Sequence, residues 1–196
     1  YNIEENTFTE IFSFRNKETD GIRENFNNHD IKILSISDKG IVRFMVYGYM
    51  NRGVHEGKTG LGIFEFSYED NMVNEMLFIP ASTGYEVLKT QIDSLHYLSD
   101  KDILYVMFED SIYSIDLVGK ESMVIVKDAR IGSYVVSEDN TILAWQEEGE
   151  EYNSRTANVL YLTTGDKNTF TVADNMRIKP LGFINHDFIY GEADAG

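Results

Sequence analysis

The chain has 196 residues, of which 42% are apolar, which suffices for one domain with a hydrophobic core and is small for two. With 17 Lys and Arg residues against 33 Asp and Glu residues, its formal net charge is −16, and a surface this negative repels nucleic-acid phosphates and anionic lipid headgroups. The absence of cysteine excludes disulfides and Cys-ligated zinc, and no run approaches the ~18 apolar residues of a membrane helix, so we expect no direct membrane insertion.

Short runs of alternating apolar residues recur along the chain and predict β-strands. The runs are rich in β-branched and aromatic residues, with 12 Tyr and 12 Phe in the chain against 2 Pro, and Asp, Asn, Gly or Ser clusters bound them. Turns recur about every eight to twelve residues, which is typical of an all-β protein. In chain order the predicted strands are 8–15, 22–26, 31–36, 41–50, 60–68, 72–79, 93–98, 102–108, 111–117, 122–126, 131–136, 141–146, 157–163, 168–173, 178–184 and 187–191.

One window has helical rather than alternating spacing. Its apolar residues Tyr85, Leu88, Ile92 and Leu95 lie three or four positions apart, as on one face of a short helix. The alternative is a linker beside a strand, which the all-β rhythm around the window favours.

A longer pattern repeats along the chain: an apolar run, a small polar residue, charged residues and a second apolar run. The small polar residues are Ser37, Ser99, Ser137 and, in a weaker copy, Asn185, at intervals of 62, 38 and 48 residues. A period of ~40–50 residues that contains four strands is typical of a β-propeller blade. We therefore predict that these four residues occupy equivalent positions in successive units.

The repeat divides the chain into propeller blades. We predict a half-blade at 1–30, four-stranded antiparallel blades at about 31–80, 92–127 and 130–174, and a second half-blade at 176–192. The half-blades can complete one another, which closes a ring of about four blades and removes the exposed sheet edges. A slice of a larger propeller is the alternative.

The Ser-Asp-Lys-Gly type of turn between apolar strands resembles the repeats of TolB-like and WD-type propellers. Residues 179–191 and the turn at 135–145 are similar to extracytoplasmic propeller domains of large clostridial surface proteins. This resemblance covers most of the chain from about Asp30 on. It implies a propeller fold and an extracytoplasmic location, at the cell surface of a Gram-positive bacterium.

The first candidate site lies in a predicted hairpin loop, residues 51–60. The run from Gly53 to Thr59 looks like a phosphate-binding loop, but it has three residues between its glycines where that motif needs four, and a strand follows it in place of a helix. We interpret it as a hydrophilic hairpin loop that contributes Arg52 and His55 as candidate ligand contacts.

A second long hairpin loop is acidic and contains Glu147, Glu148, Glu150 and Glu151. Clustered carboxylates can bind Ca²⁺, but the ordered Asp and Asn spacing of a calcium loop is missing, so a solvated acidic loop is the favoured interpretation and we predict no cofactor. These glutamates and Trp145 complete the candidate ligand contacts. Trp145 can stack on a sugar or peptide, although most aromatic residues at strand spacing belong to the core between blades.

Motifs for catalysis are missing from the sequence. Its four histidines lie too far apart for a zinc motif, and no Gly-x-Ser-x-Gly elbow occurs. We predict a non-catalytic recognition or scaffold module of a larger bacterial cell-surface protein, which binds a protein, peptide or glycan through its loops. One alternative is the accessory propeller domain of a peptidase-type hydrolase whose catalytic domain lies outside this chain. Another is a ligand or ion sensor that uses a central channel.

Overall fold

A computed structural model describes residues 6–13, 28–51, 53–130, 132–147 and 153–195, and only the main chain of residues 18–19 and 22–23. The described part is all-β apart from one ten-residue α-helix, which confirms the predicted fold class at that level. The chain divides into two compact units, Tyr1–Lys89 and Thr90–Gly196.

The elements in chain order are β1 Glu18–Thr19, β2 Ile22–Arg23, β3 His29–Ile36, β4 Ile41–Tyr49, β5 Thr59–Ser67, β6 Met72–Pro80, α1 Tyr85–Ser94, β7 His96–Leu98, β8 Ile103–Phe108, β9 Ser111–Asp116, β10 Glu121–Val126, β11 Tyr134–Val136, β12 Ile142–Gln146, β13 Thr156–Tyr161, β14 Lys167–Thr171, β15 Met176–Ile184 and β16 Asp187–Asp194.

The first unit contains a four-stranded antiparallel sheet in the order β3-β4-β5-β6, so each strand pairs with the next one in the chain. Its two middle strands are buried on both faces. Phe44 and Val46 of β4 pack with Phe66 of β5 on one face, and the alternate residues Met45 and Tyr47 are buried on the other. The first half of β6 is exposed, as expected for an outer strand with few apolar neighbours.

The second unit holds two more four-stranded meanders, β7–β10 and β11–β14, and the hairpin β15–β16. One face of β12 contributes Leu143 and Trp145 to a hydrophobic cluster shared with the β7–β10 sheet. The other face of β12 contributes Ile142 and Ala144, which pack with Phe183 and others of the β15–β16 hairpin. The three sheets of this unit therefore stack face to face in chain order.

Three of the predicted equivalent positions coincide in their hydrogen bonding. Each serine follows the first strand of its sheet, and its Oγ accepts a hydrogen bond from a main-chain N–H at the start of the second strand. The Oγ acceptors Ser37, Ser99 and Ser137 lie 3.1, 3.3 and 2.9 Å from the nitrogens of Ile41, Ile103 and Ile142. This pattern confirms that the three serines are equivalent.

Asn185 lies on the corresponding connection, between β15 and β16, but in a tighter turn. Asn185 and His186 have φ angles of 49° and 72° and form a two-residue hairpin loop. Positive φ at both loop positions is the geometry of a type I′ turn, which Asn tolerates well. The fourth copy therefore keeps the place of the repeat and changes its turn chemistry.

The window that we favoured as a linker forms the helix α1, so that interpretation was wrong. Leu88, Ile92 and Leu95 are fully buried, and the N–H groups of Val87 and Leu88 donate to the carbonyl of Gly84 at the start of the helix. Burial of a face at helical spacing outweighed the local all-β rhythm.

The strand predicted at 8–15 is also wrong over its described residues, since residues 8–13 form no strand. Phe12 instead packs its ring against those of Phe44 and Phe64, with centroids 5.6 and 6.1 Å apart. The segment therefore covers a sheet face and does not extend a sheet. Of the strand predicted at 22–26, the structure describes Ile22–Arg23, which pairs with Glu18–Thr19.

We expect Ser137→Ala to destabilise the fold by about 1–3 kcal/mol, because the buried N–H of Ile142 then loses its acceptor. Ser37→Ala is the matched control, because Ser37 occupies the same turn position but is exposed, so water can replace its hydroxyl. Urea unfolding of both variants measures the difference. Equal losses, or a larger loss for Ser37→Ala, would contradict the assignment.

Candidate functional site

A cavity of about 360 Å³ lies in the first unit, beside the loop that joins β4 to β5. This volume falls at the lower end of the range for small-molecule pockets, and its lining is mostly aromatic and aliphatic with a few polar groups, as is usual for such sites. The lining residues are Phe12, Val46, Tyr49, Met50, Asn51, Gly53, Val54, His55, Phe64, Glu75 and Phe78.

A β-bulge brings the polar and aromatic side chains of β6 onto one face. Phe64 pairs with Glu75, but Ile63 pairs with Leu77, so the register skips Met76. Residues three apart normally point to opposite faces of a strand, and the extra residue restores Glu75 and Phe78 to the same face. That face is the one occupied by Phe64.

Two glycines of β5 make room for the aromatic walls of the cavity. A Cβ atom on Gly62 would lie 2.7 Å from the ring of Phe64, and one on Gly60 would lie 2.5 Å from both the ring of Phe78 and the carbonyl oxygen of Ile79. These distances are shorter than real Cβ contacts, so the rings can lie over the strand only because both positions are glycine.

The loop between β4 and β5 is compact. The N–H of Met50 donates to the carbonyl of Lys58 at 2.8 Å, and the N–H of Gly57 donates to the carbonyl of Met50 at 2.8 Å. Gly53 and Gly57 adopt φ angles of 81° and 85°, which glycine reaches without strain. The interpretation of this segment as a hairpin loop is confirmed.

His55 folds back from this loop onto the sheet. Its Nε2 lies 2.9 Å from Oε1 of Glu75, and its ring stacks on Phe78 with centroids 3.7 Å apart and planes 8° from parallel. A carboxylate only accepts hydrogen bonds, so Nε2 carries the proton of this bond. The side chain of His55 is only 19% exposed, although the loop that carries it was predicted to be hydrophilic.

The other predicted contacts belong to the second unit or lie outside the described residues. Trp145 is 7% exposed within the hydrophobic cluster, and Lys167 Nζ lies 5.1 Å from its ring centroid, so it is a core residue with a cation partner. Glu147 is exposed, and its N–H donates to the carbonyl of Thr156. The predictions that fall outside the described residues concern Arg52, Glu148, Glu150 and Glu151.

Sequence reasoning missed a Ser-Asp-His cluster in the second unit. Asp139 Oδ1 accepts a hydrogen bond from Ser137 Oγ at 2.7 Å, and its Oδ2 lies 2.9 Å from Nε2 of His186. In a hydrolytic triad the imidazole lies between the hydroxyl and the carboxylate, whereas here the carboxylate lies in the middle. The signal was the repeat itself, because Ser137 and His186 belong to turns of successive units.

Hydrogen bonds to this carboxylate hold the pKa of Asp139 well below its ordinary value. The bond from Ser137 is the largest cause, and those of His186 and Thr141 follow. Each bond favours the ionised carboxylate. The cluster therefore ties the turn at Ser137 to the β15–β16 hairpin.

The described residues gather no three His, Asp or Glu side chains closely enough to bind a metal ion. Within the same ranges, no helix combines the length and the apolar character that crossing a membrane requires.

No protein-family model matches the chain, and a search of curated proteins finds no match. The resemblance to TolB-like and WD-type repeats therefore stays a prediction, and the function must be argued from the site.

We expect Gly60→Ala to destabilise the first unit by about 1–3 kcal/mol, because the added methyl group overlaps the carbonyl of Ile79 and the ring of Phe78. The control is Gly191→Ala, another strand glycine, where the nearest side-chain atom, on Leu181, would lie at an ordinary 3.5 Å. Calorimetric melting compares the variants, and equal shifts would contradict the role of Gly60.

The lowered pKa of Asp139 predicts an acid dependence of stability. A carboxyl group whose pKa is lower in the folded state stabilises fully above its unfolded pKa of ~3.9, and this contribution is lost as the pH falls toward the folded pKa. The stability difference between wild type and Asp139→Asn should therefore shrink as the pH falls below about 4. Urea unfolding at several pH values tests this, with Asp38→Asn in the equivalent turn as control. A difference that does not vary with pH would disprove the linkage.

Proposed function

We propose that this chain is a non-catalytic recognition module of a larger bacterial cell-surface protein, and that the cavity at His55 receives its ligand. The observation that carries the proposal is the lining of the cavity. It combines aromatic and aliphatic walls with a His55–Glu75 pair whose hydrogen bond is already made. Such an arrangement orients a bound group and gives it a preformed place.

The lining favours binding over catalysis. None of the described lining residues is a Ser, Thr, Cys or Lys, and the one hydroxyl among them is the phenol of Tyr49, so these residues offer His55 no aliphatic hydroxyl, thiol or amine to activate. The Ser137–Asp139–His186 cluster places its carboxylate between the other two groups, which does not suit a nucleophile and its general base.

We further propose that the sheets are blades of a β-propeller. The support is the succession of three four-stranded meanders, each with its strands in chain order, and the serine turn that they share. The face-to-face stacking of sheets in the second unit is the way successive blades bury their surfaces. The extracytoplasmic location follows from the resemblance alone and remains part of the proposal.

The partner that the charge favours is basic or neutral. A net charge of −16 attracts cations and slows the approach of anions. Among the predicted partner classes, a protein or peptide with basic side chains, or a neutral glycan, therefore fits this surface.

Binding of the purified chain to peptide and glycan arrays tests the function. We expect ligands whose binding falls at least ~10-fold in Phe78→Leu, because that substitution removes an aromatic wall of the cavity. Phe170→Leu is the control, because Phe170 is an aromatic residue on β14 that is 39% exposed.

Catalytic activity of the chain would contradict the proposed function. The same chain is assayed against peptidase, esterase and glycosidase substrates. Turnover by the wild type that disappears in His55→Gln, with an unchanged circular dichroism spectrum, would overturn the non-catalytic assignment.

A further inference from the structure

We propose that the cavity at His55 binds an organic ammonium group, which contacts the aromatic walls and the carboxylate of Glu75. This inference rests on the proposed function and names the ligand class of the same site. It follows from three properties of the cavity: its aromatic lining, the free oxygen of its carboxylate and the sign of its charge.

The aromatic lining supplies the first part of the argument. Phe12, Phe64, Phe78 and Tyr49 all contribute to the walls. The ring of His55 covers one face of Phe78, and the rings of Phe12 and Phe64 pack against each other with centroids 6.1 Å apart. Aromatic side chains around a small space attract alkylated ammonium groups, because the ring electrons interact with the cation while the alkyl groups are buried against carbon.

Glu75 offers a carboxylate oxygen to a ligand in the cavity. Its Oε1 is used by His55, but no described residue forms a hydrogen bond to its Oε2. The side chain is 38% exposed, so Oε2 remains accessible to a charged or N–H group of a ligand. A carboxylate oxygen beside aromatic walls is the complement of an ammonium group.

The negative charge of the described lining and of the whole chain favours a cationic ligand. Among the described lining residues the carboxylate of Glu75 occurs without a Lys or Arg, so this part of the lining repels an anionic ligand. The net charge of −16 acts in the same direction over a longer range. An uncharged apolar ligand would use the walls but gain no charge-assisted contact with the oxygen of Glu75.

The discriminating experiment compares two ligands of nearly equal shape and different charge. Choline and its uncharged carbon isostere, 3,3-dimethylbutan-1-ol, are titrated into the full chain and followed by calorimetry and by NMR. We expect choline to bind at least ~10-fold more tightly. The inference would be overturned by equal affinities of the two ligands, by tighter binding of the isostere, or by no binding of choline at about 10 mM.

Variants assign the difference to the site. Glu75→Gln should reduce the affinity for choline by about 5- to 10-fold and leave that for the isostere unchanged. Glu69→Gln removes the same charge from an exposed turn outside the lining and should change neither affinity. Equal losses in both variants would show a general charge effect and contradict the proposed site.

Two further arms identify the source of the ammonium group and separate this inference from the proposed function. Nα-acetyl-lysine amide and its Nε-trimethylated form are compared with choline. Tighter binding of the lysine compounds indicates a peptide side chain, and tighter binding of choline indicates a free small molecule.

If an array ligand depends on Phe78 but carries no cation, the recognition function stands and the ammonium inference fails. If His55-dependent turnover is found, the recognition function fails instead.

Discussion

Burial of the middle strands on both faces is the constraint on which the rest of the structure depends. In an ordinary antiparallel sheet one face meets water and the strands alternate between apolar and polar residues. Here β4, β5, β8, β12 and β13 are buried on consecutive residues, while at least half of the residues in the last strand of each four-stranded sheet are exposed. Such a sheet is stable only when both of its faces are covered, and in the second unit neighbouring sheets provide this cover.

The candidate site arises from local departures from this regular plan. The bulge at Met76 moves Glu75 onto the face of Phe64 and Phe78, and the glycines of β5 leave space above the strand. A regular strand with larger side chains would fill this face with core. The departures instead leave a cavity whose polar group is held in place by the His55 loop. Irregular strand geometry of this kind commonly accompanies binding sites.

Charge and shape act together in the proposed function. In this proposal the acidic surface attracts a cationic partner. At physiological salt this attraction is screened beyond about 8–10 Å. In this proposal the cavity then selects by contact, through its aromatic walls and one accessible carboxylate oxygen. The Asp139 cluster has a different role, since its hydrogen bonds hold two turns together within the second unit.

The sequence by itself determined the strands that follow residue 28, the four-strand repeat and the shared serine turns, because alternation of apolar residues and turn chemistry act between near neighbours. It placed a strand at 8–15 where the described residues form none. Only the tertiary structure decided which side chains meet. His55 and Glu75 are 20 residues apart, and Asp139 and His186 are 47 apart, so no local pattern links them. The helix α1 and the burial of Trp145 were decided in the same way, by the apolar surface that each covers in the folded chain.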